Sequence, residues 1–230
     1  MLFAGTSSYS LKTWVGPFYP PGTPSSGYLR YYASRLNTVE INYTFRRFPT
    51  EKLSASWAAQ TPPGFRFSLK MHQSVTHFSR LKNIGEPLEA FLRNVEPLGA
   101  RLGVILIQLP PSLAADAGAL ADLLARLPRG LRAAFEFRHP SWHSPDIMRL
   151  LEKSKAALCV AQHEILHRLP PPTAPFVYLR IRKPPPYSSS EEDLLRAQVR
   201  DISRRVDEVY CYLKHDDAGL APAVAAALGS

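Results

Sequence analysis

The stretch FEFRHPSW (135–142) sets Glu136 and Arg138 two residues apart at the end of an apolar run, with His139 and Trp142 close behind. In an extended strand that spacing puts the carboxylate and the guanidinium on one face. A carboxylate beside cations stays ionised at neutral pH and can accept a proton, and a neighbouring imidazole can return one. Similar groups close most of the other apolar runs. Glu40 and Asn42 end TVEIN, and Lys70 ends FRFSLK ahead of His72 and His77. Gln108 ends GVILIQ, Gln162 and His163 close ALCVAQH, and Arg180 and Arg182 alternate at the end of FVYLRIR. The last run, EVYCYL, leads into Lys214, His215, Asp216 and Asp217.

Gathered in one place, these groups could run acid–base chemistry on an anion. Glu136 or Glu40 would act as general base, and His77 or His139 as general acid. Lys70, Arg138, Arg180 and Arg182 would neutralise phosphate oxygens, arginine doing so bidentately. The set suits hydrolase or lyase chemistry on a phosphorylated or nucleic-acid-related substrate better than redox chemistry. A plainer alternative has Glu136 and Arg138 paired with each other, or with Lys70 and Glu40, as buried ion pairs without chemistry. His77, Glu40, Glu136, His163, His215 and Asp216 are metal-ligating types, so a divalent metal stays open, against competition from the lysine and arginines nearby. No cofactor is predicted. The chain has no G-x-S-x-G elbow and no P-loop, and GTSSYS after the first run is not a dinucleotide fingerprint.

The elements that would carry these residues are short and regular. Eight runs rich in Val, Ile, Phe or Tyr read as strands: 2–5, 38–41, 65–70, 103–108, 132–137, 157–162, 176–181 and 208–213. Between them, 28–36, 87–98, 118–127, 146–154 and 191–206 carry apolar residues at helical spacing, and 50–60 reads as a short helix. SSSEE before the last of these supplies a serine cap and first-turn acids. Strand alternating with helix implies a parallel sheet, and eight units imply one closed (β/α)8 barrel of the TIM type over 1–230. Such a barrel collects function at the carboxyl ends of its strands, where the polar residues fall. Its interior is expected to be Val, Ile and Leu.

Composition sets wider bounds. The chain is 45% hydrophobic and 20% charged, as a globular protein with a sizeable core would be. No apolar run approaches the roughly 20 residues that span a bilayer, and MLFAGTSSYS lacks a basic leader, so a cytoplasmic protein without a membrane partner is expected. Cys159 and Cys211 sit in apolar runs and read as buried free thiols. Lys and Arg outnumber Asp and Glu by 28 to 19. That excess favours an anionic partner, a small phosphorylated ligand or a nucleic acid, although the cations are scattered rather than blocked. Under a binding-module alternative without turnover, Tyr9, Trp14, Phe18, Tyr19, Trp142 and Tyr187 would stack on bases; otherwise they pack over the barrel. A third alternative has the polar rim holding a partner protein.

Several stretches carry a resemblance. GTSSYSLKTWVGPFYP, YYASRLNTVEINYTF, TPPGFRFSLK with THFSRL, QLPPS and FEFRHPSW, in this order, resemble the family known as domain of unknown function 72, or YecE-like proteins. The resemblance runs from about Gly5 to the last strand. It implies a TIM-type barrel and no agreed activity. Carried onto this chain, the family's polar signature falls on Tyr9, Trp14, Glu40, Asn42, Lys70, His77, Gln108, Glu136, Arg138, His139 and Trp142. With Arg182 added from its strand position, Lys70, Arg138, Asn42, Gln108, Tyr9 and Trp142 form the expected substrate- or anion-binding set. The chain departs from the family at Arg46, where a tyrosine is usual, at Gln162-His163, where an acid is common, and at Arg182-Lys183-Pro184, where His-Gly is common. The last two changes remove groups from the expected mouth and add positive charge.

Overall fold

The computed structural model describes residues 1–229. Its eight strands are β1 (Leu2–Thr6), β2 (Thr38–Ile41), β3 (Arg66–Lys70), β4 (Leu102–Gln108), β5 (Arg132–Glu136), β6 (Ala157–Gln162), β7 (Phe176–Ile181) and β8 (Glu208–Leu213). All pair in parallel and in sequence order, and β8 closes on β1 from Leu2↔Val209 to Thr6↔Leu213. The architecture is a (β/α)8-type barrel. Closure brings β1 and β2 so near at Gly5 that a Cβ there would stand 2.1 Å from the Thr38 carbonyl oxygen. Only glycine fits.

The helices are α1 (Tyr28–Arg35), α2 (Glu51–Ala59), α3 (Gly85–Val95), α4 (Ala117–Arg126), α5 (Pro145–Lys153), α6 (Ser189–Ser203) and α7 (Ala221–Leu228). Side-chain caps start several of them. Thr50, Asp116 and Ser144 accept from the backbone N–H three residues on, and Ser188 with Glu191 forms a reciprocal capping box on α6. Two features depart from the expected alternation. No helix joins β6 to β7, because RLPPPTAP (168–175) supplies four prolines that neither donate backbone bonds nor let their predecessors enter a helix. APAVAAAL, in turn, forms α7 and packs Ala221, Ala225 and Leu228 against the barrel. Its nearly uniform apolarity has no polar face, so periodicity does not reveal it.

The barrel interior differs from the expected aliphatic filling. Phe3, Phe176, Tyr178, Tyr210 and Tyr212 occupy it, with Val104, Leu106, Ala134, Ala157 and Cys159 between them. Small residues on β5 and β6 make room for rings on β7 and β8. Each phenol then needs a partner. Tyr212 shares bonds of 2.7 Å with Thr38 and with Ser68, Tyr210 donates to Glu208 at 3.2 Å, and Tyr178 donates to Glu40 at 2.7 Å. The aromatic floor is therefore tied to the polar layer above it. Cys159 and Cys211 are buried free thiols, and burial pushes both well above the ordinary thiol range. Among the described residues no helix is long and apolar enough to cross a membrane.

Candidate functional site

Alternation along β7 explains the centre of the site. Phe176, Tyr178 and Arg180 point inward in succession, while Val177, Leu179 and Ile181 pack outward. Arg180 thus stands above the tyrosine layer, with its side chain 3% exposed. Its Nη2 donates to Glu40 Oε1 at 2.8 Å, and its Nη1 donates to Glu136 Oε2. Glu40 also accepts from Tyr178 at Oε2 and from Asn42 Nδ2 at 2.9 Å. The Asn42 amide spans onward to the Ser7 carbonyl at 3.0 Å. Burying these charges is tolerable only because each of the four carboxylate oxygens has at least one donor.

A second ring of cations lies outside this core. Arg138 donates through Nε to Glu136 Oε1 at 3.1 Å and through Nη2 to Gln108 Oε1 at 3.0 Å. Lys70 Nζ donates to the same Gln108 oxygen at 2.9 Å and sits 3.9 Å from the Phe45 ring centroid. His77 stands edge-on to that ring at 4.8 Å, and its Nδ1 bonds Thr76 Oγ1 at 2.8 Å. It is carried on a π-helical turn, Ser74–Phe78, a geometry that recurs at functional sites. The Arg182 guanidinium makes no hydrogen bond or ion pair with any described residue.

The charges act on one another. Burial alone would raise the Glu136 carboxyl, but Arg180 and Arg138 outweigh it and hold the group below its ordinary 4.5. Burial first, and then Arg180, bring the Lys70 ammonium down from 10.5 to about 8. Burial with Lys70 and Arg138 lowers His77, and burial with Arg180 lowers Arg182. At pH 7 the acid is ionised and the imidazole neutral. The lysine is within reach of its neutral form.

A cavity of about 380 Å³ opens beside this network, lined by Tyr9, Glu40, Asn42, Tyr43, Trp57 and His215 among others. A larger hollow, about 560 Å³, lies at the opposite end of the barrel between Asn37, Phe65 and Ala225. Among the described residues its only ionisable lining group is Arg35, so no acid is set beside a base there.

Of the residues singled out from the sequence, Glu40, Asn42, Lys70, Gln108, Glu136 and Arg138 form one bonded network. His77 joins it through Phe45, and Tyr9 lines the cavity above Glu40. His139 and Trp142 stand apart. His139 accepts from the Ser141 N–H at 3.2 Å and caps the short turn Pro140–Trp142. Trp142 is fully buried, stacks on Phe137 at 4.9 Å and donates to the Leu113 carbonyl at 2.7 Å. Trp14 and Tyr19 are equally buried, which removes three of the six rings expected as a base-stacking platform. Arg180, read from the sequence as a phosphate ligand, is committed to two carboxylates instead. The alternation from Tyr178 to Arg180 signals that the guanidinium faces inward, but not that it meets both acids.

Among the described residues, no three His, Cys, Asp or Glu side chains come together as a metal site. Asp216 uses both carboxylate oxygens to accept from Leu220 and Ala221 at the start of α7. HEILH (163–167) has the H-E-x-x-H order that binds zinc when a helix aligns both imidazoles. Here that stretch is an exposed loop after β6, without a helix to align them.

The profile of the family described as "Protein of unknown function DUF72" matches residues 3–230. The chain belongs to this family. Over 143 residues it is 30% identical to the UPF0759 protein YecE of Escherichia coli strain K12, covering 62% of this chain and 50% of that one. It is 29% identical over 135 residues to the UPF0759 protein YunF of Bacillus subtilis strain 168, covering 55% and 48%. The matched stretches span about half the length of these curated relatives. The crystal structure of a DUF72 family protein from Thermotoga maritima is similar at a TM-score of 0.85 and 29% identity, over 100% of this chain and 98% of that one. One from Enterococcus faecalis shares the fold at a TM-score of 0.77, over 99% and 95% of the two chains.

Proposed function

We propose that the barrel mouth binds a small phosphorylated, or otherwise anionic, substrate and turns it over by hydrolase or lyase chemistry. One observation carries this reading. The mouth sets Lys70, Arg138, Arg180 and Arg182 around Glu40 and Glu136, and neither Lys70 nor Arg182 makes an ion pair with a described residue. Half-buried cations without counter-charges make an electrostatic hole that an anion fills. Arg138 and Arg182 take the anionic group, with the Lys70 amine close by. Glu40 and Glu136, fixed by Arg180, keep the frame rigid. His77 is the proton carrier, since its lowered pKa leaves it neutral and a stronger base at pH 7 than the more acidic Glu136. A small ligand is favoured over a nucleic acid because Trp14, Tyr19 and Trp142 are closed to stacking and the adjoining cavity, about 380 Å³, is of small-molecule size.

The test is turnover of a panel of phosphorylated small molecules by wild type and by His77→Gln. Product formation that disappears in a variant still binding inorganic phosphate is expected. Binding without turnover in wild type would leave an anion-binding module, and absence of both would remove the reading altogether.

A further inference from the structure

Lys70 stands apart from the acids of the mouth, and its role rests on the anion site proposed there. Lys70 is the last residue of β3, so its amine rises at the carboxyl rim where a bound ligand would sit. One side of the amine is closed by the face of Phe45, 3.9 Å from the ring centroid. Its one hydrogen-bond partner among the described residues is the neutral Gln108 oxygen, at 2.9 Å. That oxygen is shared with Arg138, which places a permanent cation next to the amine. No carboxylate lies within ion-pair distance of it among the described residues. A lysine meant only as a counter-charge would be set against an acid, yet Glu40 and Glu136, the two acids nearby, are bound to Arg180. Apolar contact on one side and cations on the other are the conditions under which a lysine works as a nucleophile rather than as a charge. The amine's lowered proton affinity agrees with this.

We propose that Lys70 forms an imine with the carbonyl carbon of an aldehyde or ketone whose anionic group is held by Arg138 and Arg182. The ammonium first gives up one proton to His77, which shares the Phe45 ring with it. The neutral Nζ then attacks the carbonyl carbon, forming a C–N bond while the carbonyl π pair moves to oxygen. A proton leaves nitrogen and two arrive on oxygen, one of them returned by His77. The C–O bond breaks and water departs. The sum is R–NH3⁺ plus O=C giving R–NH⁺=C plus H2O, with no oxidant, metal or cofactor drawn in. The protonated imine is an electron sink for breaking a bond to the adjacent carbon, which narrows the proposed hydrolase-or-lyase activity to a lyase acting on an anionic carbonyl compound.

Pyridoxal 5′-phosphate, a phosphorylated aldehyde, is a direct probe. The full chain is incubated with it at pH 8, reduced with borohydride, digested and mapped by mass spectrometry across its eight lysines. Labelling of Lys70 at least tenfold above any other lysine, and suppressed by inorganic phosphate, is expected. Labelling spread over exposed lysines such as Lys12 and Lys52 in proportion to exposure would overturn the proposal, even if phosphate binds by calorimetry. Selective labelling of Lys70 by pyridoxal and its phosphate alike, without phosphate competition, would keep the nucleophile and sink the anion site. Lys70→Arg, which retains the charge, is expected to keep phosphate binding and lose the label. Retention of the same label pattern in that variant would count against Lys70.

Discussion

Glu40 on β2 and Glu136 on β5 stand on strands three places apart in the barrel, yet both carboxylates end on the guanidinium of Arg180. Arg180 thereby crosses the mouth as a tie between opposite walls. Glu136 is held ionised and both acids are fixed by the shared guanidinium, while Lys70 and Arg182 stay outside any ion pair among the described residues. Stability and the proposed chemistry are thus divided between neighbouring residues, and substitutions should separate them.

Arg180→Leu is expected to remove about 3–5 kcal/mol of folding stability, since two buried carboxylates lose their shared partner. For a chain of this size that is a fall on the order of 10 °C in Tm. Urea unfolding at pH 7 measures it. A loss of less than about 1 kcal/mol would mean that water already satisfies the acids.

Acid titration should show the Glu136 linkage. Its carboxyl is held below the ordinary 4.5, so its contribution is fully present above that pH and is lost as pH falls through the lower folded-state value. The stability gap between wild type and Glu136→Gln is therefore expected to shrink as pH drops below 4.5. A gap unchanged down to the onset of acid unfolding would deny the ion pairing.

Lys70 gives the opposite kind of dependence. Below pH 8 both folded and unfolded chains carry the ammonium, and wild type bears the full penalty of burying it. Between about 8 and 10.5 the folded chain releases the proton first, so wild-type stability rises relative to a variant without the amine. Lys70→Met is expected to melt above wild type at pH 7, by a margin that narrows toward pH 10. A margin independent of pH would show that the amine is not strained by burial.

Trp142→Phe should cost about 2 kcal/mol, through the lost bond to the Leu113 carbonyl and the smaller ring on Phe137. Phosphate affinity should not change. A loss of affinity with stability intact would restore Trp142 to the site.

The barrel was legible in the sequence because eight apolar runs at regular spacing admit few other arrangements, and the rim because polar residues fall at the ends of those runs. The interior was less so. Alternation puts Tyr178 on one face with Arg180, and Tyr210 on one face with Tyr212, but does not show that alanines across the barrel make room for them. The fate of Arg180 depends on distances between β2, β5 and β7, which no local pattern encodes. Trp142 and His139 lie within four residues of Arg138, yet the turn after β5 sends one into the core and the other into a backbone cap. Closeness in sequence misplaced them. The segment 221–228 escaped because alanine after alanine carries no period.

The most direct measurement is a calorimetric titration of inorganic phosphate into wild type and Arg182→Gln, paired with urea unfolding of each. The Arg182 guanidinium has no hydrogen-bond or ion-pair partner among the described residues, so replacing it should leave stability within about 0.5 kcal/mol and weaken phosphate at least tenfold, about 1.4 kcal/mol. Equal phosphate affinity in the two proteins, or no binding to wild type, would contradict an anion site at the barrel mouth.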